Sequence, residues 1–355
     1  MKILHLPTNI ASQISCSVRA LRSIGVDARG LARTSADIQD HHGIEVAEPN
    51  DKPNPLSKLA RSISWRLRLL RAMAWADVVH WHWGNSTCKG FDLRLAARLG
   101  RPRLVEFWGD DIRLPEIASR DNPYIAGMYG AHPELMPAWT PAAQAVFSGH
   151  GFECLIPGHE LGDYVDRRHF PTHHQTMARL LLEEYKPSPP SPTRRRPLVV
   201  HAPSNKLRKG TEAVLAHVQR LARDHEFDFR LIHNMPRREA MRTVSECDIF
   251  LDQFTIGAEG LASLEAMAWG KPVVCYIKPA WLSRYPADLP IVVADQSTLG
   301  QALADLLIDG QRRHDLGIRG RHYVETHHDA RRIASHLASI YQDMLRRHAG
   351  AVRKR

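Results

Sequence analysis

Two clusters in the second half of this chain have residue types and spacings that could do chemistry. The stretch 252–274 reads as strand, glycine-broken loop, helix, glycine stop and strand, with Glu265 early on the helix. A helix amino end presents unpaired N–H groups and partial positive charge, so the loop before it can seat a phosphate. Gly260 lets the backbone approach closely, and Glu265 is placed to accept hydrogen bonds from sugar hydroxyls. Together they suit a nucleotide diphosphate better than a free anion. The stretch 197–211 reads as a buried strand, a basic loop carrying Lys206, Arg208 and Lys209, and a helix over 211–223 opened by Gly210-Thr211. Val214, Leu215, Val218 and Leu221 keep helical spacing there. Three cations and a glycine thus follow the carboxyl end of a strand, where open parallel sheets bind ligands. The alternative is a solvated basic loop. Lys209-Gly210-Thr211 lacks the upstream glycines of a nucleoside-triphosphatase phosphate loop.

The run from Gly260 to Val274, with Leu264-Glu265-Ala266-Met267-Ala268 and then Gly270-Lys271-Pro272-Val273, resembles the donor-sugar signature of retaining glycosyltransferases of the GT-B fold. The family in question is glycosyltransferase family 4, the group 1 glycosyltransferases. Its first glutamate, separated from the second by seven residues, would fall at Gly257, and Glu259 stands two residues later. Members with an upstream Asp-Gln pair, as in Asp252-Gln253, also lack that glutamate. The basic loop resembles the family's diphosphate-binding loop, with Lys209 matching the lysine before the glycine. The family's arginine would fall at Pro203, leaving its role to Lys206 or Arg208. The resemblance implies an α/β chain of two Rossmann-like domains facing each other across a cleft. It implies Lys209, Arg208 and Glu265 as catalytic, and Asn205, Lys206, Gly257, Glu259, Gly260, Leu261 and Ala262 as donor-binding.

In the family, the loop after the first strand faces the acceptor, which here points to Asn9 and Ser12. The segment 105–113 resembles a second family stretch through Gly109, Asp111 and Arg113, with Trp108 where histidine is common. A turn held by an Asp–Arg pair is the equal alternative. The implied activity is retaining, metal-independent transfer from a nucleotide-diphosphate sugar to a glycan or lipid-linked acceptor, in surface polysaccharide or glycolipid synthesis. The nucleotide sugar is then a co-substrate, with no cofactor and no metal. Cations and a helix amino end would stabilise charge developing on the departing phosphate. The competing readings are a nucleotide-sugar epimerase of the same fold and a non-catalytic sugar-nucleotide-binding module. A nicotinamide oxidoreductase is disfavoured, since no Gly-x-Gly-x-x-Gly follows the first strand.

These residues need elements to position them. The 355 residues suffice for two ordinary domains, and 43% hydrophobic content can build two cores. Strands are expected at 3–6, 26–31, 78–82, 104–107 and 154–156, then at 198–201, 229–233, 249–252, 272–276 and 291–293. Helices at 15–24, 56–75 and 93–99 alternate with them, which indicates parallel sheets covered on both faces. Five prolines within 186–197 predict an extended linker. The domains then run 1–185 and 198–328, and a terminal helix within 329–355 crosses back to the first domain, as in the family. His80 and His82 share one strand face, with Trp81 and Trp83 on the other. Two histidines at this spacing can bind zinc, yet no third ligand stands near in sequence, so a strand end at the cleft is favoured.

The net charge of +10 implies an anionic partner. No nucleic-acid signature is visible, so a nucleotide sugar and anionic lipid account for the charge instead. Segment 56–75, opening on Leu56 and closing on Trp75, mixes five cations with leucines and tryptophans, as interfacial helices do. Its alternative is an exterior helix packed on the sheet. Five scattered cysteines argue for reduced thiols. With no apolar leader or membrane-length run, the expectation is a cytoplasmic protein, with peripheral attachment to the inner membrane face as an open extension.

Overall fold

Apolar runs such as Val78-Val79 and Val199-Val200 become central strands of two parallel sheets in a computed structural model of the chain. The structure describes residues 1–34, 39–49, 51, 54–137, 139–233 and 235–353, so Lys354 and Arg355 of the expected terminal segment lie outside the described residues. The strands are β1 (Lys2–Pro7), β2 (Asp27–Ala32), β3 (Glu45–Val46), β4 (Val78–His82), β5 (Arg103–Glu106), β6 (Glu153–Pro157), β7 (His174–Thr176), β8 (Leu198–His201), β9 (Asp228–Leu231), β10 (Ile249–Leu251), β11 (Val273–Cys275) and β12 (Val292–Val293). The short β3 and β7 carry little apolar signal and escape a reading of the sequence.

Packing divides the chain into two units. The first comprises Met1–Leu114, Pro137–Arg179 and Ala330–Arg355. Its sheet runs β3-β2-β1-β4-β5-β6-β7, so strand order reverses between β1 and β4. The helix Gln13–Ser23 packs against the terminal helix Ala330–Arg353. That terminal helix buries Ile333, Leu337, Tyr341 and Met344, one stripe at helical spacing. The helix Pro55–Trp75 begins at Asn54, whose side chain accepts from the Ser57 amide at 2.8 Å. It buries only Trp65, Leu69 and Met73.

The second unit comprises Pro115–Met136 and Leu180–Asp329. Its sheet runs β12-β11-β10-β8-β9, with the reversal between β8 and β10. Val199, Val214, Val218, Ile249, Leu251, Phe254, Val274, Leu299 and Leu303 form the core. Two boundaries differ from the sequence reading. Residues 115–136 pack with the second unit, because Asn122 Nδ2 donates to the Thr255 and Ile256 carbonyls at 2.9 and 3.0 Å. The proline-rich segment also lies against this unit rather than forming a spacer. Prolines keep its carbonyls available, and Ser188, Pro190 and Arg194 accept from Lys271, His314 and Arg313 respectively.

Candidate functional site

The candidate donor residues gather at the reversal point of the second sheet, beyond the carboxyl ends of β8 and β10, where open α/β sheets bind ligands. After β8, Asn205 caps a short helical turn (Lys206–Lys209) by accepting the Arg208 amide at 3.0 Å. Gly210 ends that turn at φ +69°, and a Cβ there would stand 3.1 Å from Thr255 Oγ1 and 3.2 Å from Phe254 Cβ. Glycine thus lets the basic loop lie directly on the loop after β10. Lys209 Nζ pairs with Asp252 Oδ1. Asp252 Oδ2 accepts from the Gly260 amide at 2.8 Å and from Ser263 Oγ at 2.6 Å. Burial alone would raise this carboxyl, but the Lys209 ammonium and these hydrogen bonds outweigh it and hold it below its ordinary value. One buried carboxylate therefore fixes the lysine and the amino end of the helix Leu261–Ala268 together. By helix geometry the Leu261 and Ala262 amides have no acceptor within their own helix.

Glu265 lies one turn into that helix and is 4% exposed. Its Oε1 accepts from Tyr185 Oη at 3.2 Å and pairs with Arg237 Nη2. Lys206 is exposed, whereas Arg208 donates to the Leu135 carbonyl at 2.8 Å and so helps seat residues 115–136. Gly257, at φ +89°, has Asn122 Nδ2 and Lys278 Cβ each 3.2 Å from where a Cβ would stand. A side chain there would be crowded and the backbone strained. Glu259 Oε2 accepts from the Tyr285 hydroxyl.

In the first unit, the candidate acceptor residues lie in loops at the carboxyl ends of β1 and β5. Asn9 Oδ1 accepts the Ile14 amide at 2.9 Å, and its Nδ2 donates to the Asp40 carbonyl at 2.6 Å. Ser12 Oγ accepts the Asp40 amide at 2.7 Å. Ala11 and Ser12 adopt φ +47° and +63°, an uncommon conformation for non-glycine residues that these contacts hold in place. Asp111 accepts the amides of Trp108 and Gly109 on Oδ1 at 2.8 and 2.7 Å, and of Gly84 on Oδ2 at 3.0 Å. Burial nevertheless pushes its carboxyl up to about 7. These polar side chains shape loops by binding backbone. The Asp–Arg pair of this segment is Asp110 with Arg113, at 2.7 Å, rather than Asp111.

The whole chain superposes on solved glycosyltransferases. Against sucrose-phosphate synthase from Thermosynechococcus elongatus the TM-score is 0.65 at 12% identity, covering 97% of this chain and 99% of the other. Against WaaG, a glycosyltransferase of lipopolysaccharide biosynthesis, it is 0.60 at 13% identity, covering 96% and 99%. Against Anabaena Alr3699/HepE in complex with UDP it is 0.61 at 14% identity, covering 97% and 100%. This chain has the GT-B fold. The likeness is one of fold. No protein-family model and no curated protein sequence matches the chain.

Sequence reasoning missed three features of this GT-B chain. Lys209 and Asp252 are 43 residues apart, and nothing local links them. Arg237 opens the helix Arg237–Glu246 and reaches Glu265 from beyond β9. In the first unit, strand register places His5 beside His80 and Glu106 beside His82, supplying the third histidine and the carboxylate that the local sequence lacks. His5 Nδ1 stands 2.9 Å from His82 Nε2, His80 Nδ1 stands 2.6 Å from Tyr341 Oη, and Arg179 grips Glu106 with both terminal nitrogens. The His80 and His82 rings stack at 4.4 Å and 17°. One ring nitrogen from each of His5, His80 and His82 lies within 4.8 Å of the others, so the three could hold a metal ion as well as form a packed network. Trp81 packs on Phe147 and Phe152, while Trp83 lies past the strand end at φ +75° and not on its opposite face.

Burial holds the pKa values of His5, His80 and His82 below the ordinary histidine value, and that of His201 down to about 4. Each would take up a proton in the unfolded chain as pH falls through about 6.5. Stability contributed by these four is complete above that pH and lost below it. Asp111 acts oppositely, since its raised pKa favours the folded state at the acid side. Unfolding at mildly acidic pH should therefore take up protons on balance, with uptake by the histidines exceeding release from Asp111. Thermal denaturation from pH 7.5 to 5 is expected to show a falling Tm, and a flat profile would contradict the neutral assignment.

Proposed function

We propose that this chain is a retaining, metal-independent glycosyltransferase that moves a sugar from a nucleotide-diphosphate sugar to a glycan or lipid-linked acceptor, in surface polysaccharide or glycolipid synthesis. The carrying observation is the assembly at the β8–β10 reversal point, where Asp252 ties Lys209 to the amino end of the helix Leu261–Ala268 and Glu265 follows one turn on. Breaking the sugar–phosphate bond leaves negative charge on the terminal phosphate. Lys209 and the helix amino end, with the exposed Lys206 on the same loop, would stabilise that charge as it develops. Glu265 supplies a fixed acceptor for ribose hydroxyls. HepE, of the same fold, is described in complexes with UDP and with UDP-glucose, which supports a nucleotide sugar as ligand. Asp110 and Asp111 are committed to Arg113 and to backbone amides, so the metal-binding role of an Asp-x-Asp motif has no counterpart in that pair. With the phosphate and these cations carrying the charge, retention is expected through attack on the face the leaving group vacates.

A panel of uridine, guanosine and adenosine diphosphate sugars tests the donor half of this reading. One of them at a hundred times its Kd should stabilise the fold by about 2.7 kcal/mol. If none shifts Tm, the reading fails. Nucleotide release that depends on added acceptor separates transfer from epimerisation, and tight donor binding without turnover would mark a binding module.

Membrane attachment rests on the helix Pro55–Trp75. Leu56 and Leu59 are 82% and 61% exposed, so its apolar residues are not all spent on the core. Arg61 and Arg68 are paired with Asp51 and Glu45, which leaves Lys58, Arg66 and Arg71 as the main attraction for anionic lipid, about 1 kcal/mol each. No described helix is long and apolar enough to cross a membrane. The protein should sediment with anionic vesicles at low salt and be released by high salt. Changing Arg66, Arg68 and Arg71 to glutamate should abolish sedimentation and preserve nucleotide binding. Indifference of the wild type to anionic vesicles would favour a soluble acceptor.

A further inference from the structure

We infer that Arg237 is a positioning residue for nucleotide recognition, setting the preference for a ribose over a deoxyribose by fixing Glu265. This rests on the donor reading above. Glu265 has 5% of its side chain exposed, and both of its polar contacts, Arg237 Nη2 and Tyr185 Oη, fall on the single oxygen Oε1. An ionised carboxylate only accepts, and each oxygen has two lone-pair sites. With Oε1 engaged by two donors, Oε2 becomes the oxygen directed at an incoming hydroxyl.

The fold explains why an arginine can do this from so far along the chain. The helix Arg237–Glu246 lies between β9 and β10, and a parallel crossover brings its amino end to the carboxyl edge of the sheet. Glu265 reaches the same edge on the helix after β10. Pro236 immediately precedes Arg237 and fixes the start of its helix. Tyr185 is 8% exposed, with its ring edge-on to Trp269 at 5.4 Å, so the second donor is held by packing. Arginine has 27% of its side chain exposed and thus stands between the buried carboxylate and the solvent side of the site. The guanidinium meets Glu265 through one terminal nitrogen, so this ion pair and the Tyr185 hydroxyl together hold Oε1 in place.

The experiment measures Kd by calorimetry for UDP, GDP and ADP and for their 2′-deoxy counterparts on the full chain. For whichever base binds, Arg237→Ala should weaken the ribonucleotide about tenfold and the deoxynucleotide by less than threefold, collapsing the preference. Arg237→Lys should restore part of it. Glu265→Gln should also lose the preference, and adding Arg237→Ala to it should cost almost nothing more. Equal losses for ribo- and deoxynucleotides, or additive effects in the double variant, would overturn the inference in favour of a phosphate contact or a purely structural arginine. An unchanged Arg237→Ala protein would overturn it as well. A wild type that binds none of the six nucleotides would instead overturn the donor reading, and this inference with it.

Discussion

Replacing Lys209 with alanine should lower kcat/KM by about 10²–10³, the loss expected when a donor aimed at developing charge is removed. The same change should also destabilise the fold by about 3 kcal/mol, because it strands the Asp252 carboxylate in the interior. Asp252 has 1% of its side chain exposed and Lys209 14%, so the pair sits mostly out of water. Lys209 is therefore more than a surface cation that can be deleted without structural cost. The double variant Lys209→Ala with Asp252→Asn separates the two effects. It should regain most of the lost stability, since no buried charge remains unpaired, and it should stay inactive. Near-normal turnover in either variant would remove Lys209 from the chemistry.

The single change Asp252→Asn is expected to act in the opposite direction on binding. The Lys209 charge is largely cancelled by its Asp252 partner, and on the proposed function a diphosphate would compete for it. Removing one negative charge beside the lysine should tighten nucleoside diphosphate binding by roughly tenfold or more, since at an effective dielectric near 20 a unit charge pair about 10 Å apart is worth about 1.7 kcal/mol. Turnover should nonetheless fall, because Lys209 and the Gly260 amide lose the group that orients both. Calorimetry and initial rates on one preparation report both quantities. Weaker binding together with unchanged turnover would show that Asp252 neither restrains nor aims the lysine.

Much of the frame was legible along the chain. Apolar runs bounded by glycine and proline locate β1, β4, β8, β10 and β11, because strand burial is a local demand on residue type. The terminal helix, the turn at Gly210 and the helix after Gly260 follow from spacing and from glycine's backbone freedom in the same way. Glu265 and Lys209 could be singled out because each stands at a fixed offset from such a turn. Their partners could not. Asp252 meets Lys209 only because β8 and β10 are neighbours across the reversal of strand order, and Arg237 meets Glu265 only because a crossover helix starts at the same sheet edge. Likewise His5 and Glu106 join His80 and His82 through register, which local propensity does not encode. The sequence by itself determined the longer strands, the helices and the glycine turns, since those choices depend on neighbours a few residues away. Tertiary structure alone decided which charges are paired, that residues 115–136 and the proline-rich strap pack with the second unit, and which oxygen of Glu265 is engaged by its partners. Those outcomes depend on contacts between residues dozens to hundreds of positions apart, which arise only once the sheets have formed.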